Sequence, residues 1–246
     1  MRVALVSDIH SNLAALEAVL AAAHAEGIEG IWNMGDLVGY GPDPDAVVTT
    51  MQNEAASCVM GNHDAAALEL IAIEGFNEMA QTAARWTVAN ISEASRLFLG
   101  AMPRIEVDGE FSRCHGTLRD PIWEYLDTRE AAAAHFDAQT TPHSIVGHTH
   151  HQMLVTRTPA GETNALVPWG EETHQLDGTT GVLCCINPGS VGQPRDGDPR
   201  ACYALLDTAE QTVAFRRVAY DIATTQRRMQ VAGLPEALAA RLATGH

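Results

Sequence analysis

The first third of the chain reads strand, helix, strand, helix, strand, and that order dictates most of what the chain can fold into. Val3 to Val6 is a short apolar run that stops at Ser7 and Asp8, as a buried strand does. Leu13, Leu16, Val19, Leu20 and Ala23 then recur at helical spacing. Ser11 or Asn12 can cap that helix and Gly27 can end it. Ile31 to Met34 predicts the next strand, Asp45 to Met51 a short helix behind Pro42 and Pro44, and Cys58 to Met60 a third strand. Strands that alternate with helices return by right-handed crossovers, so this segment predicts a parallel sheet. Ligands of such sheets gather at the carboxyl ends of the strands.

Residues 65–100 are alanine-rich and predict helices, including a longer one from Asn77 to Leu99. From Ile105 the texture changes. Strand-like runs at 105–107, 111–115, 144–147, 152–157, 163–168, 182–187, 201–207 and 211–219 are separated by Gly, Pro, Asp and Thr. They predict a second sheet built largely of hairpins. A helical insert at about 121–137, centred on Trp123 to Phe136, interrupts them. Helices near Asp221 to Val231 and Pro235 to Ala243 close the chain. With 246 residues, 46% apolar and 19% charged, and neither a repeat nor a long linker, the expectation is one α/β (α+β) domain over residues 1–246.

A formal net charge of −16 argues against a nucleic acid or an anionic membrane as the main partner, since both favour basic surfaces. A small anionic substrate stays compatible, because bound cations reverse the local field. No stretch approaches the roughly eighteen apolar residues of a membrane span. The run at Val3 to Val6 is too short for a signal peptide, so a cytoplasmic protein is expected. Cys58, Cys114, Cys184, Cys185 and Cys202 each sit in or beside an apolar run without a C-x-x-C pair, which predicts buried, reduced thiols. Trp32, Trp86, Trp123 and Trp169 are expected to pack or to wall a pocket, and Glu171 and Glu172 to sit in a solvated loop.

The residues that carry chemistry fall where the strands end. Asp8 and His10 follow the first strand as D-I-H, and Asp36 follows the second in G-D-L-V-G-Y-G. Asn62, His63 and Asp64 follow the third in G-N-H-D. His115 ends a later strand in C-H-G, and His148 and His150 another in G-H-T-H. In an extended segment residues two apart point the same way, so Asp8 with His10, and His148 with His150, can each converge on one site. Glycines before Asp36, Asn62 and His148 allow tight turns and close backbone approach. Any one of these motifs alone is well explained as a turn or a helix cap. All of them together, each after a strand, are not. Mixed nitrogen and oxygen ligands of this kind suit Mn, Fe, Zn, Ni or Co better than Ca. One ion explains three or four of the residues; the full set points to two ions and a bridging ligand.

This series resembles the signature of the calcineurin-like metallophosphoesterase superfamily. It spans residues 8–150, and I-N-P-G-S at 186–190 is similar to a further segment of small bacterial members. G-D-L-V-G-Y-G-P, D-P-I-W-E-Y and N-P-G-S-V-G-Q-P-R-D-G are similar to one bacterial subgroup variously called phosphodiesterases and phosphatases. The resemblance implies two mixed β-sheets packed as a sandwich and flanked by helices. It implies a first metal held by Asp8, His10 and His150, a second held by Asn62, His115 and His148, and Asp36 bridging them, with Mn or Fe favoured. It implies phosphate-ester hydrolysis by a metal-bridging hydroxide, with His63 as general acid and Asp64 orienting its ring.

Asn12, Arg119 and Arg195 lie near these motifs and are expected at the substrate. Arg195 follows N-P-G-S in a Gly/Pro-rich loop, and guanidinium suits bidentate phosphate contact. A compact acidic chain favours a small phosphodiester or phosphomonoester over a protein. Dinucleoside polyphosphate hydrolysis and protein phosphatase activity use the same ligand set and remain alternatives. A non-catalytic scaffold of the retromer-like kind is an alternative of another class, but such scaffolds lack the histidine that His63 supplies. His24, His135, His143, His174 and His246 have no motif context.

Overall fold

The computed structural model describes residues 1–54, 56–168, 172–176 and 180–246; Trp169 and Glu171 lie outside them. Strands β1 (Arg2–Val6), β2 (Gly30–Asn33) and β3 (Ser57–Cys58) run parallel, joined by helices α1 (Leu13–Ala25) and α2 (Pro44–Asn53). Helices α3 (Asn62–Ala67), α4 (Glu78–Asn90) and α5 (Glu93–Gly100) follow. Next come β4 (Ile105–Asp108), β5 (Phe111–Cys114), α6 (Arg129–Ala138), β6 (His143–Ile145), β7 (Gln152–Arg157), β8 (Thr163–Leu166) and β9 (Thr173–Gln175). The chain continues with β10 (Leu183–Pro188), β11 (Ala201–Asp207), β12 (Thr212–Val218), α7 (Ile222–Val231) and α8 (Glu236–Arg241).

Two mixed sheets result, one ordered β3-β2-β1-β11-β12-β9 and the other β4-β5-β6-β10-β7-β8. The later strands therefore do not all form the second sheet. β11 pairs antiparallel with β1, Val3 opposite Leu206 and Leu5 opposite Ala204, and β12 follows it. This places β1 inside its sheet, which suits a strand whose Val3, Ala4, Leu5 and Val6 are all apolar and fully buried. Their period of two divides them between two cores. Val3 and Leu5 pack with Trp32, Met34, Phe111, Ile145, Ile186 and Phe215 between the sheets. Ala4 and Val6 pack with Leu16, Val19 and Val47 of the helices.

Two helices differ from the sequence-based expectation. The long helix from Asn77 to Leu99 is broken at Ile91 and Ser92. The Ser92 backbone N–H and hydroxyl both donate to the Asp45 carboxylate, at 3.0 and 2.9 Å, and the Ser92 hydroxyl oxygen caps α5 by accepting from Ser95. The helix in the 121–137 insert starts only at Arg129, capped by Thr128. Before it, Asp120 accepts the N–H groups of Ile122 and Trp123 and holds a turn instead. All five cysteines are buried. Among the described residues no helix is long and apolar enough to cross a membrane.

Candidate metal centre

Five strand ends deliver the ligand-type residues to one place. Asp8 and His10 lie between β1 and α1, Asp36 after β2, Asn62 at the start of α3, His115 after β5, and His148 and His150 after β6. These segments are tight turns rather than extended runs. Asp8, His10, Asp36, His148 and His150 have φ of 53°, 51°, 57°, 67° and 63°. Left-handed backbone disfavours residues with a side chain, and it persists only where the surroundings hold it. Here neighbouring loops do so. Asp8 N–H donates to the Gly35 carbonyl, His10 N–H to Asp36 and Gly192 N–H to Asp8, all at 3.0 Å. The I-N-P-G-S segment braces the group: the Asn187 amide donates to the Gly147 carbonyl at 2.7 Å, and the Ser190 hydroxyl to the Asp8 carbonyl at 2.8 Å.

Each histidine spends one ring nitrogen on a backbone carbonyl and turns the other inward. His10 Nδ1 donates to Val38 at 3.2 Å, His115 Nδ1 to Met34 at 2.7 Å and His150 Nδ1 to Gln193 at 2.6 Å. His148 uses Nε2, donating to Trp123 at 3.2 Å. With tautomers assigned from these partners, the inward nitrogens carry lone pairs. His10 Nε2 and His150 Nε2 are 3.2 Å apart. His115 Nε2 is 3.0 Å from Asn62 Oδ1 and 3.1 Å from His148 Nδ1.

The carboxylates divide in the same way. Asp8 Oδ2 accepts from the Ser7 hydroxyl at 2.6 Å and the His148 N–H at 3.1 Å, while Asp36 Oδ1 accepts from the His63 N–H at 2.8 Å. Asp8 Oδ1 and Asp36 Oδ2 are buried with no hydrogen-bond partner. Asp8 Oδ1 faces His150 Nε2 at 3.2 Å; Asp36 Oδ2 faces His115 Nε2 at 3.4 Å and His10 Nε2 at 3.7 Å. Three overlapping groups of side chains thus form around facing acceptor atoms among the described residues: Asp8, His10 and His150; Asp36, His115 and His148; and His10, Asp36 and His63.

The domain model of the calcineurin-like phosphoesterase superfamily matches residues 1–211. The chain belongs to this superfamily. It is 36% identical over 252 residues to an uncharacterized protein of Methanocaldococcus jannaschii, covering 99% of this chain and 98% of that one. A metallophosphoesterase from Sphaerobacter thermophilus is similar in structure, with 41% identity, a TM-score of 0.88, and 100% and 99% of the two chains covered. A hypothetical protein from Pyrococcus horikoshii shares the fold at 20% identity, with a TM-score of 0.78 and coverage of 100% and 98%.

Membership in the superfamily supports metal-dependent hydrolysis of phosphate esters in general and implies divalent metal ions. The residues present fit such ions. Acceptor atoms that face one another at these distances, in a site closed to water, need a cation between them. In the metal-free protein, protons take part of that role. Burial works against a charged His115, but Asp36 outweighs it and raises the pKa to about 9. Burial, reinforced by the His115 charge, holds His148 at about 3. Burial alone raises Asp8, yet the neighbouring His150 brings it below the usual carboxylate range.

His63 lies outside these carbonyl anchors. Its ring is caged by Tyr40, Phe76 and His10, with centroids 4.4, 4.7 and 4.9 Å away, and its Nδ1 is buried without a partner. Gly39, at φ 95°, leaves the space that the ring fills. Asp64 does not orient that ring, contrary to expectation. Its carboxylate accepts three backbone N–H groups, from Asp36, Val38 and Gly61. The reason is the helical turn at Asn62–Ala67, which sends side chains of adjacent residues in different directions.

Of the expected substrate residues, Arg195 reaches the site. Its Nη2 donates at 3.0 Å to Oε1 of Gln193, the residue whose carbonyl anchors His150, and its Nε is buried without a partner. Asn12 is taken up within the protein. Its amide donates to the Gly192 carbonyl and the Tyr220 hydroxyl, and its oxygen accepts from Ala15 and from the Thr225 hydroxyl. Arg119 is exposed and forked onto Glu124. The sequence reading passed over Tyr125, which stacks on His148 at 3.7 Å, and Tyr40 beside His63. Both lie in segments that carry the resemblance, Tyr40 in G-D-L-V-G-Y-G-P and Tyr125 in D-P-I-W-E-Y, and that was a usable signal.

Proposed function

We propose that the chain hydrolyses phosphate esters of small molecules with two transition-metal ions. Asp8, His10 and His150 would hold one ion, Asn62, His115 and His148 the other, and Asp36 would be shared. The observation that carries this reading is Asp36 Oδ2, a buried oxygen without a donor that faces His10 on one side and His115 on the other. An oxygen placed so suits a ligand of two cations. Imidazole with carboxylate and amide oxygen favours Mn or Fe, with Zn, Ni and Co as alternatives. Ions held there supply an activated water and offset negative charge on the phosphoryl oxygens. His63, free of the carbonyl anchors that fix the four histidine ligands, donates a proton to the leaving oxygen; burial lowers the pKa of the free ring to about 4, so the negative charge of bound phosphate has to restore that proton. Arg195, whose Nε is buried without a partner, binds phosphate.

The presence of His63 supports catalysis over a scaffold role. The net charge of −16 supports a small anion drawn in by bound cations over a nucleic acid. The test is the Mn-loaded protein assayed against phosphomonoesters, cyclic nucleotides, diesters and dinucleoside polyphosphates, with metal counted by elemental analysis. Two ions per chain and turnover of a small ester are expected. One ion at saturating metal rejects the shared Asp36, and two ions without turnover of any ester favour the scaffold.

A further inference from the structure

His148 is held differently from His10, His115 and His150. Those three give Nδ1 to a backbone carbonyl and turn Nε2 inward. His148 gives Nε2 to the Trp123 carbonyl at 3.2 Å and turns Nδ1 inward, 3.1 Å from His115 Nε2. Hydrogen bonds tolerate a spread of angles, so that contact fixes the edge of the ring more closely than its plane.

Tyr125 fixes the plane. Its ring stacks on that of His148, with centroids 3.7 Å apart and planes 16° from parallel. The other ring contacts of the histidines here lie at 4.4 to 4.9 Å and are tilted or edge-on. Tyr125 is 42% exposed, so core packing does not account for an aromatic side chain at this position.

One loop carries both contacts, and it is braced from end to end. It leaves β5 at His115. The Gly116 N–H donates to the Pro121 carbonyl at 2.8 Å and the Thr117 N–H to Asp120 at 3.1 Å. The Asp120 carboxylate accepts the Trp123 N–H at 3.2 Å, and the Thr117 hydroxyl donates to Glu124. Leu126, next after Tyr125, is buried with Cys114 and Val146, so the far end is pinned to the strands that lead to His115 and His148. The loop thus begins at one ligand-type residue and ends on another.

We infer that Tyr125 is a positioning residue for the ion held by His115 and His148. Its ring sets the plane of the His148 imidazole and the Trp123 carbonyl sets its edge, which together keep the Nδ1 lone pair turned inward. The inference rests on the two-ion reading above and deepens it. It gives the segment D-P-I-W-E-Y a task that the metal ligands themselves leave open.

Calorimetric titration of the metal-free protein with Mn tests this. The wild type is expected to bind two ions. Tyr125→Ala should weaken one of them by about 10–100-fold, the usual effect of removing a group that orients a ligand, and leave the other unchanged. Tyr125→Phe keeps the flat ring and should bind both ions as the wild type does. Tyr125→Leu fills much of the same space without a flat ring and should weaken the same ion, which keeps the test alive should alanine loosen the loop. Two ions held as tightly by Tyr125→Ala as by the wild type overturn the inference and leave the two-ion reading standing. So does equal weakening of both ions, the mark of a merely structural role. A loss in Tyr125→Phe as large as in Tyr125→Ala also overturns it, because the effect then lies in the hydroxyl. A single ion in the wild type at saturating metal overturns the inference and the two-ion reading together.

Discussion

Asp64 grips the backbone of Asp36: its Oδ2 accepts the Asp36 N–H at 2.8 Å and the Gly61 N–H at 3.0 Å, while Oδ1 takes Val38 at 3.1 Å. The carboxylate beside His63 therefore holds the loop that presents Asp36. Asp64→Asn turns an NH2 toward at least one of these donors, and each buried group so orphaned costs about 1–3 kcal/mol. We expect a lower melting temperature and reduced metal content by elemental analysis. Full metal content with an altered leaving-group dependence would return Asp64 to a role on the His63 ring.

Gly61 approaches the same residue from the other side. A Cβ there would collide with Asp36 Oδ1, although φ at −97° strains no side chain. Gly61→Ala should push the Asp36 carboxylate aside and weaken both ions. Asp36→Asn should do the same, because a neutral amide bridges cations poorly. Two tightly held ions in either variant would argue that Asp36 is not shared.

His63→Ala should leave two ions bound and slow alkyl esters by about 10²–10⁴-fold, the usual worth of a general acid. Esters of p-nitrophenol should slow less, since that group leaves without a proton. Both substrates are to be measured on one preparation, with metal assayed in parallel. Equal losses reject proton donation. Loss of an ion makes His63 a ligand, an outcome its proximity to His10 and Asp36 allows.

His135 supplies a pH dependence away from the metals. It is fully buried, accepts the Leu118 N–H on Nδ1 at 3.1 Å and donates from Nε2 to the Ser144 hydroxyl at 2.8 Å. Burial lowers its pKa from 6.5 to about 4. The folded-state value lies below the unfolded one, so the unfolded chain binds the extra proton. The contribution is complete above pH 6.5 and is lost as pH falls toward 4. At pH 5 the loss is about 2 kcal/mol. Urea titrations of the wild type and His135→Gln should therefore show a stability gap that shrinks by about this amount between pH 7.5 and 5. A constant gap would mean that His135 is charged in the folded protein.

Much of the centre was legible in the sequence because its signals are local. Short apolar runs mark β1 and β2, and Asp8, His10, Asp36, Asn62, His115, His148 and His150 stand directly after strands. The residue types point to metal binding, since imidazole, carboxylate and amide at successive strand ends suit few other purposes. The break before α5 was not legible, because it depends on Asp45, 47 residues away from Ser92. Nor was the place of β11: its apolar run fits either sheet, and only the open edge of β1 selects one.

The division runs through single side chains. Sequence determined that Asp64 is a carboxylate beside His63; the tertiary structure decided that it serves the N–H of Asp36, 28 residues earlier. Sequence determined that His150 carries two ring nitrogens; the Gln193 carbonyl, 43 residues later, decided which one faces His10, 140 residues earlier. Leu242 has no motif at all, and only the packing of α7 and α8 brings it to Tyr40. A residue type sets which hydrogen bonds and charges a side chain offers. Which partner meets them depends on loops distant in sequence, and those are brought together only when the two sheets and the closing helices bury their shared apolar faces.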